Sequence, residues 1–82
     1  MNEKEELEKE LIEKLHWIQY RQKMLDIIEE KLLRMKELAY TAKEGNLASK
    51  ELQEVNAKLK LLESQVRALD EESKRIEDEK IL

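Results

Sequence analysis

The sequence predicts an all-α protein in which two long helices fold back on each other as an antiparallel coiled-coil hairpin. Three observations support this: charged residues make up 44% of the 82 residues, proline is absent, and the only glycine stands near the middle. Such a composition is typical of coiled coils and long helices. Two helices joined by so short a break must run antiparallel.

One segment alone, from Glu44 to Ser49, contains residues that interrupt a helix. We expect one domain over residues 1–82, with helix 1 at about 3–43, the turn at 44–48 and helix 2 at about 49–80. Gly45 suits the left-handed conformation that ends many helices. Ser49, or alternatively Asn46, is expected to cap helix 2 through its side-chain oxygen.

Both helices carry apolar residues spaced alternately by three and four, the period of a coiled-coil seam. In helix 2 the seam has one polar interruption, Ser73, and consists of Leu52, Val55, Leu59, Leu62, Val66, Leu69 and Ile76. The predicted seam of helix 1 is interrupted by Lys14 and Arg21, and it consists of Leu7, Leu11, Ile18, Leu25, Ile28, Leu32, Met35, Ala39 and Ala42. Asn56 and Gln65 flank the helix 2 seam, where a polar residue can fix register.

Further large apolar residues lie beside the predicted seam of helix 1: Trp17, Tyr20, Met24, Ile27 and Leu38. A two-helix seam needs only a narrow apolar face, whereas a helix bundle needs a wider one. We therefore expect these five residues to contact a helix outside the hairpin, and two copies to pair into a four-helix bundle. The alternative, stacking of Trp17 and Tyr20 on a ligand, is the less common use of aromatic residues at helical spacing.

Residues that could carry chemistry are isolated from one another. His16 is the only histidine and points away from the predicted seam, without an evident partner to orient it. The acidic clusters, such as Asp70-Glu71-Glu72, lie on continuous helices and lack the glycine-containing loop of a calcium site. We expect neither an enzyme nor a cofactor or metal site.

The net charge of −4 and the absence of a basic cluster argue against nucleic acid and anionic membrane surfaces as partners. The sequence has no cysteine and no apolar run long enough for a membrane span or a signal peptide. We expect a soluble, cytoplasmic protein.

Residues 24–69 resemble the helical hairpin of bacterial flagellins. The stretch Leu32-Leu33-Arg34-Met35-Lys36-Glu37-Leu38-Ala39 is similar to the flagellin phrase Leu-x-Arg-Met-x-Glu-Leu-Ala, and a small-residue turn follows at Gly45-Asn46-Leu47. The flagellin N-terminal polymerisation segment and C-terminal helix have no counterpart here. The resemblance implies a flagellum-associated protein with a flagellar partner; convergence of two hairpins on one turn is the alternative.

These features favour a non-catalytic structural or interaction protein that associates through the apolar face of helix 1. Its partner would be a second copy, as a homodimer, or another helical protein. A small chaperone-like or adaptor hairpin that covers an amphipathic helix of a client protein is the alternative function.

Overall fold

Two long helices, packed against each other as a hairpin, make up the fold. The structure is a computed structural model that describes the backbone of residues 2–81 and the side chains of residues 2–75. Helix α1 spans Glu3–Glu44 and helix α2 spans Ser49–Ile81. All contacts between elements are made by this pair, which forms a rod 68 Å long. The predicted all-α hairpin is confirmed.

The first turn of α1 is capped by Asn2, whose side-chain oxygen accepts a hydrogen bond from the backbone N–H of Glu5 at 2.8 Å. This satisfies one of the N–H groups that have no partner within the helix. Three glutamates follow in the first turn, at the positive end of the helix dipole: Glu3, Glu5 and Glu6.

The turn corrects the expectation for Gly45. Its φ of −81° and ψ of 142° are extended, not left-handed, and its N–H donates to the carbonyl oxygen of Thr41 at 2.8 Å. Glycine is needed here for space, because a Cβ at this position would lie 2.7 Å from the Thr41 oxygen.

The start of α2 also differs from the expectation. Ser49 is the first helical residue, and the carbonyl of Ala48 accepts the first helical hydrogen bond, from the N–H of Leu52 at 3.0 Å. Ser49 therefore stands one position too late to cap the helix. Asn46 is exposed in the connection, while Leu47 is half-buried there.

The face that α1 turns towards α2 is only partly the one we predicted. It consists of residues spaced alternately by four and three, all buried or half-buried: Trp17, Arg21, Met24, Ile28, Lys31, Met35, Leu38 and Ala42. Only Tyr20 and Ile27, which flank this seam, are comparably covered elsewhere on α1. The seam keeps Ile28, Met35 and Ala42 from the prediction. At the other positions it is shifted by one residue, with Trp17 for Ile18, Met24 for Leu25, Lys31 for Leu32 and Leu38 for Ala39.

The seam of α2 follows the prediction more closely. Its half-buried apolar residues are Val55, Leu59, Leu62, Val66 and Leu69, while Leu52 remains exposed. The predicted seam position Ile76 lies outside the described side chains. Ile28 is the only apolar side chain of the described residues that is buried rather than half-buried or exposed, so the hairpin has a thin core. Neither helix contains, within its described residues, a stretch long and apolar enough to cross a membrane.

Candidate helix-docking surface

A row of solvent-exposed apolar side chains on α1 runs along one edge of the seam with α2. Leu11, Ile18, Leu25 and Leu32 are spaced by seven residues each, so they lie on one side of the helix. Their exposed fractions are 57, 55, 39 and 49%. We call these four residues the outer apolar row. A heptad-spaced row this open is an unusual feature, since scattered single apolar residues are the norm on a surface.

Two further leucines extend the outer apolar row at its N-terminal end. Leu7 lies four residues before Leu11, and Leu15 lies four residues after it, so both share that side of the helix. Both are also exposed. The apolar surface is therefore broadest between residues 7 and 18, where the described side chains of α2 offer no cover.

A polar layer between the helices lies next to this surface. Arg21 on α1 donates to the side chains of Asp70 and Ser73 on α2, and its Nη2 lies 3.2 Å from Oδ1 of Asp70. Ser73 is completely buried and donates in turn to the backbone carbonyl of Asp70 at 3.3 Å. Each of these three side chains thus has a partner, which is what makes their burial tolerable.

The charge of Asp70 is stabilised by two cations. Lys74 donates to its second carboxylate oxygen at 2.9 Å, and Arg21 reaches the first. The hydrogen bond from Lys74, and to a lesser extent that from Arg21, lowers the pKa of Asp70, although partial desolvation raises it. The carboxylate therefore stays ionised at neutral pH.

A second polar contact crosses the seam. Lys31 donates from Nζ to Oε1 of Gln65 at 2.9 Å in a partly buried position. Gln65 thus does touch α1, as a register-fixing residue must, whereas Asn56 is exposed. Lys and Arg reach such partners because their long aliphatic stems pack along apolar surface and carry the charge to its edge.

The five residues predicted to bind an outside helix lie elsewhere than expected. Trp17, Met24 and Leu38 belong to the seam with α2, and Tyr20 and Ile27 flank it; all five are half-buried within one chain. The prediction that they stand free of the hairpin seam is wrong. Their contribution to binding a second chain stays a prediction, because each retains some exposed surface.

The outer apolar row could have been found from the sequence. Its residues formed the heptad-spaced half of the seam predicted for α1, and they are more apolar than the seam the structure shows. The sequence signal for an apolar heptad row was correct, but its assignment to the contact with α2 was not.

The other candidate residues of the described chain do not come together into a site. His16 is exposed on α1, and the described residues contain no group of three or more His, Cys, Asp or Glu that could hold a metal ion. Two shallow depressions each lie along a single helix, one lined by Leu33, Tyr40 and neighbours and one lined by Lys60, Arg67 and neighbours. Neither brings residues of both helices together.

The fold and this surface define a class of protein: a two-helix coiled-coil hairpin with an open apolar row on its longer helix. Comparison of the chain with models of known protein families, with curated proteins and with solved structures found no match.

Proposed function

We propose that this chain is a non-catalytic structural and interaction protein that binds another helix through α1. The outer apolar row is the observation that carries the proposal. Four large apolar side chains repeating every seven residues are the pattern that one helix presents to another in a coiled coil. The row borders the seam with α2 but remains exposed, so it is available to a further helix.

The thin core supports the same proposal. Ile28 is the one buried apolar side chain among the described residues, and the rest of the α1 seam is half-buried. Small chains with so little buried apolar surface gain stability from oligomerisation or a partner. A helix laid on the outer apolar row would cover Leu11, Ile18, Leu25 and Leu32 and add a second layer of packing to α1.

Site-specific photocross-linking tests this function in the native host. A photoreactive amino acid at Ile18 is expected to form an adduct with a helical segment, of this chain or another protein, located by mass spectrometry. Leu61 serves as the matched control, because it is exposed to 59%, similar to Ile18, but lies on the outer side of α2. An adduct at Ile18 that disappears when Leu25 is changed to Glu supports the proposal; equal adducts from both positions would refute it.

A chaperone-like or adaptor hairpin is the second candidate function. The same open row would cover the amphipathic helix of a client protein instead of a permanent partner. The two functions differ in what the adduct at Ile18 contains: one defined helix in the first case, and helices from many proteins in the second. The resemblance of residues 24–69 to flagellin adds a specific partner class, since it proposes a flagellar protein in that adduct.

A further inference from the structure

We propose that the helix which covers the outer apolar row is α1 of a second copy, packed antiparallel so that Leu11 of one copy lies against Leu32 of the other. This inference rests on the proposed function and names its partner. The same symmetry places Ile18 against Leu25. Each pair then occurs twice about a two-fold axis, as in any isologous interface.

The charge distribution along α1 favours a second copy in this direction. The first quarter of the helix is acidic, with six glutamates against two lysines: Glu3, Glu5, Glu6, Glu8, Glu10 and Glu13, with Lys4 and Lys9. The last third is basic on balance, with four cations against two glutamates: Lys31, Arg34, Lys36 and Lys43, with Glu37 and Glu44. Antiparallel packing brings the acidic part of one copy to the basic part of the other, whereas parallel packing would bring like charges together.

The register of the row agrees with this charge distribution. When Leu11 pairs with Leu32, Glu8 of one copy comes level with Lys36 of the other on the flank of the interface. The dipoles of the two α1 helices also oppose each other, which is the favourable arrangement. Apolar pairing and charge pairing therefore select the same alignment.

The surface available reaches the lower end of the range that stable dimers bury. In this register the two α1 helices overlap over residues 3–40, a length of about 57 Å. A helix about 10–12 Å wide then covers on the order of 600–700 Å² on each copy, if the helix surface is treated as smooth. Stable interfaces bury roughly 800 Å² per partner.

Sedimentation equilibrium tests the partner. The wild-type chain is expected at twice its mass of 9.9 kDa. Ile18→Glu should weaken dimerisation roughly 100-fold or more, because it buries an unpaired charge at the interface. Leu61→Glu, on the outer side of α2, should leave the dimer intact, and circular dichroism should show that both variants stay helical. A wild-type monomer at high micromolar concentration would overturn the inference.

Introduced cysteines test the direction, because the natural sequence contains none. In the antiparallel dimer, a mixture of Leu11→Cys and Leu32→Cys proteins should form a disulfide-linked heterodimer. Neither variant should cross-link alone, since two copies of position 11 lie about 32 Å apart and a disulfide needs Cα atoms within about 7 Å. Ile12→Cys mixed with Leu32→Cys is the control, because Ile12 is equally exposed but points to another side.

The outcomes separate this inference from the proposed function. A disulfide formed by Leu11→Cys alone would show a parallel dimer, which overturns the inference but leaves a helix-binding function. A photocross-link from Ile18 to another protein, with the chain itself monomeric, would do the same. A charge test adds a second readout: Lys36→Glu should weaken the dimer about tenfold, and Glu8→Lys in the same chain should restore it.

Discussion

Arg21 on α1 donates a hydrogen bond to the carboxylate of Asp70 on α2, with 3.2 Å between Nη2 and Oδ1. The same guanidinium reaches Ser73, the one fully buried polar side chain of the described residues. Two of the polar interruptions in the apolar seams, Arg21 in α1 and Ser73 in α2, therefore meet each other. Polar residues that meet inside a coiled coil can fix register, because any slip leaves them unpaired.

A double-mutant cycle on this contact should show strong coupling. Arg21→Met and Asp70→Asn are each expected to lower the urea midpoint, and together they should cost less than the sum of the two. The control pair is Glu63 and Arg67, whose side chains meet at 2.8 Å on the exposed side of α2. Such pairs couple by only about 0.3–0.5 kcal/mol. Additive effects at Arg21 and Asp70 would show that the contact does not hold the helices together.

The same carboxylate should make stability depend on pH. Hydrogen bonds from Lys74 and Arg21 lower the pKa of Asp70 from its ordinary value of 3.8. Because the folded state favours the ionised form, its contribution is present above that ordinary value and is lost as pH falls through the lower folded pKa. Other carboxylates titrate in the same range, so the readout is the difference from Asp70→Asn. Urea midpoints of wild type and variant should converge below pH 3.8; parallel curves would contradict this.

The fold could be predicted because composition and period left few alternatives. A chain with abundant Leu, Glu and Lys, no proline and one central glycine has two helices as its simplest arrangement. The residues of α1 that pack against α2 could not be predicted in the same way. The seam that forms contains Arg21 and Lys31, while the competing phase contains Leu25 and Leu32 and is more apolar. Counting apolar residues therefore placed every second seam position one residue too late.

The correct side depends on pairs of residues rather than on one helix alone. Arg21 finds Asp70 and Ser73, and Lys31 finds Gln65, at positions where α2 itself departs from a purely apolar seam. Arg21 and Ser73 interrupt the predicted seams as well, so of these contacts only that of Lys31 with Gln65 distinguishes the observed facing from the predicted one. The prediction of a left-handed Gly45 was wrong for another reason. Glycine is required there because the Thr41 carbonyl oxygen lies close to the place of a Cβ, and no sequence pattern reports such a distance.

Substitutions at Gly45 should distinguish lack of space from left-handed backbone. Gly45→Ala is expected to destabilise by about 1 kcal/mol or more, because its Cβ would press on the carbonyl oxygen of Thr41 and force the turn to shift. Gly45→Asn should be equally harmful here, whereas a left-handed site would tolerate Asn better than Ala. Asn46→Ala, in the exposed connection, is the control and should change stability by less than about 0.5 kcal/mol. Thermal denaturation measures all three.

Substitutions of two neighbouring residues of α1 should distinguish the seam with α2 from the surface that binds a second chain. Met24 lies in the seam with α2, whereas Leu25, the next residue, belongs to the outer apolar row. Met24→Ala should lower stability by about 1–2 kcal/mol at every protein concentration, because it weakens the hairpin itself. Leu25→Ala should act mainly through the concentration dependence of unfolding, since it weakens contact with a second chain. If the two variants exchange these behaviours, Met24 is the interface residue that the sequence predicted.

Hydrogen exchange should show which amides are protected by the hairpin itself and which become protected only when a second copy binds. Half-buried side chains of α1 begin at Trp17, and every described side chain before it is exposed. Amides around Ile28, the buried centre of the seam, should therefore exchange slowest, and those of residues 7–15 should exchange fast in the isolated hairpin.

Protein concentration then makes the experiment decisive. In the antiparallel dimer, residues 7–15 of one copy lie against residues 28–36 of the other, so their exchange should slow as the protein is raised from about 1 μM to about 500 μM. Amides of residues 59–69 on α2 should change much less, because α2 lies outside the α1–α1 contact. Ile18→Glu should abolish the concentration effect and leave the protection around Ile28 in place. Fast exchange of residues 7–15 at every concentration would mean that a second copy does not cover the N-terminal part of α1.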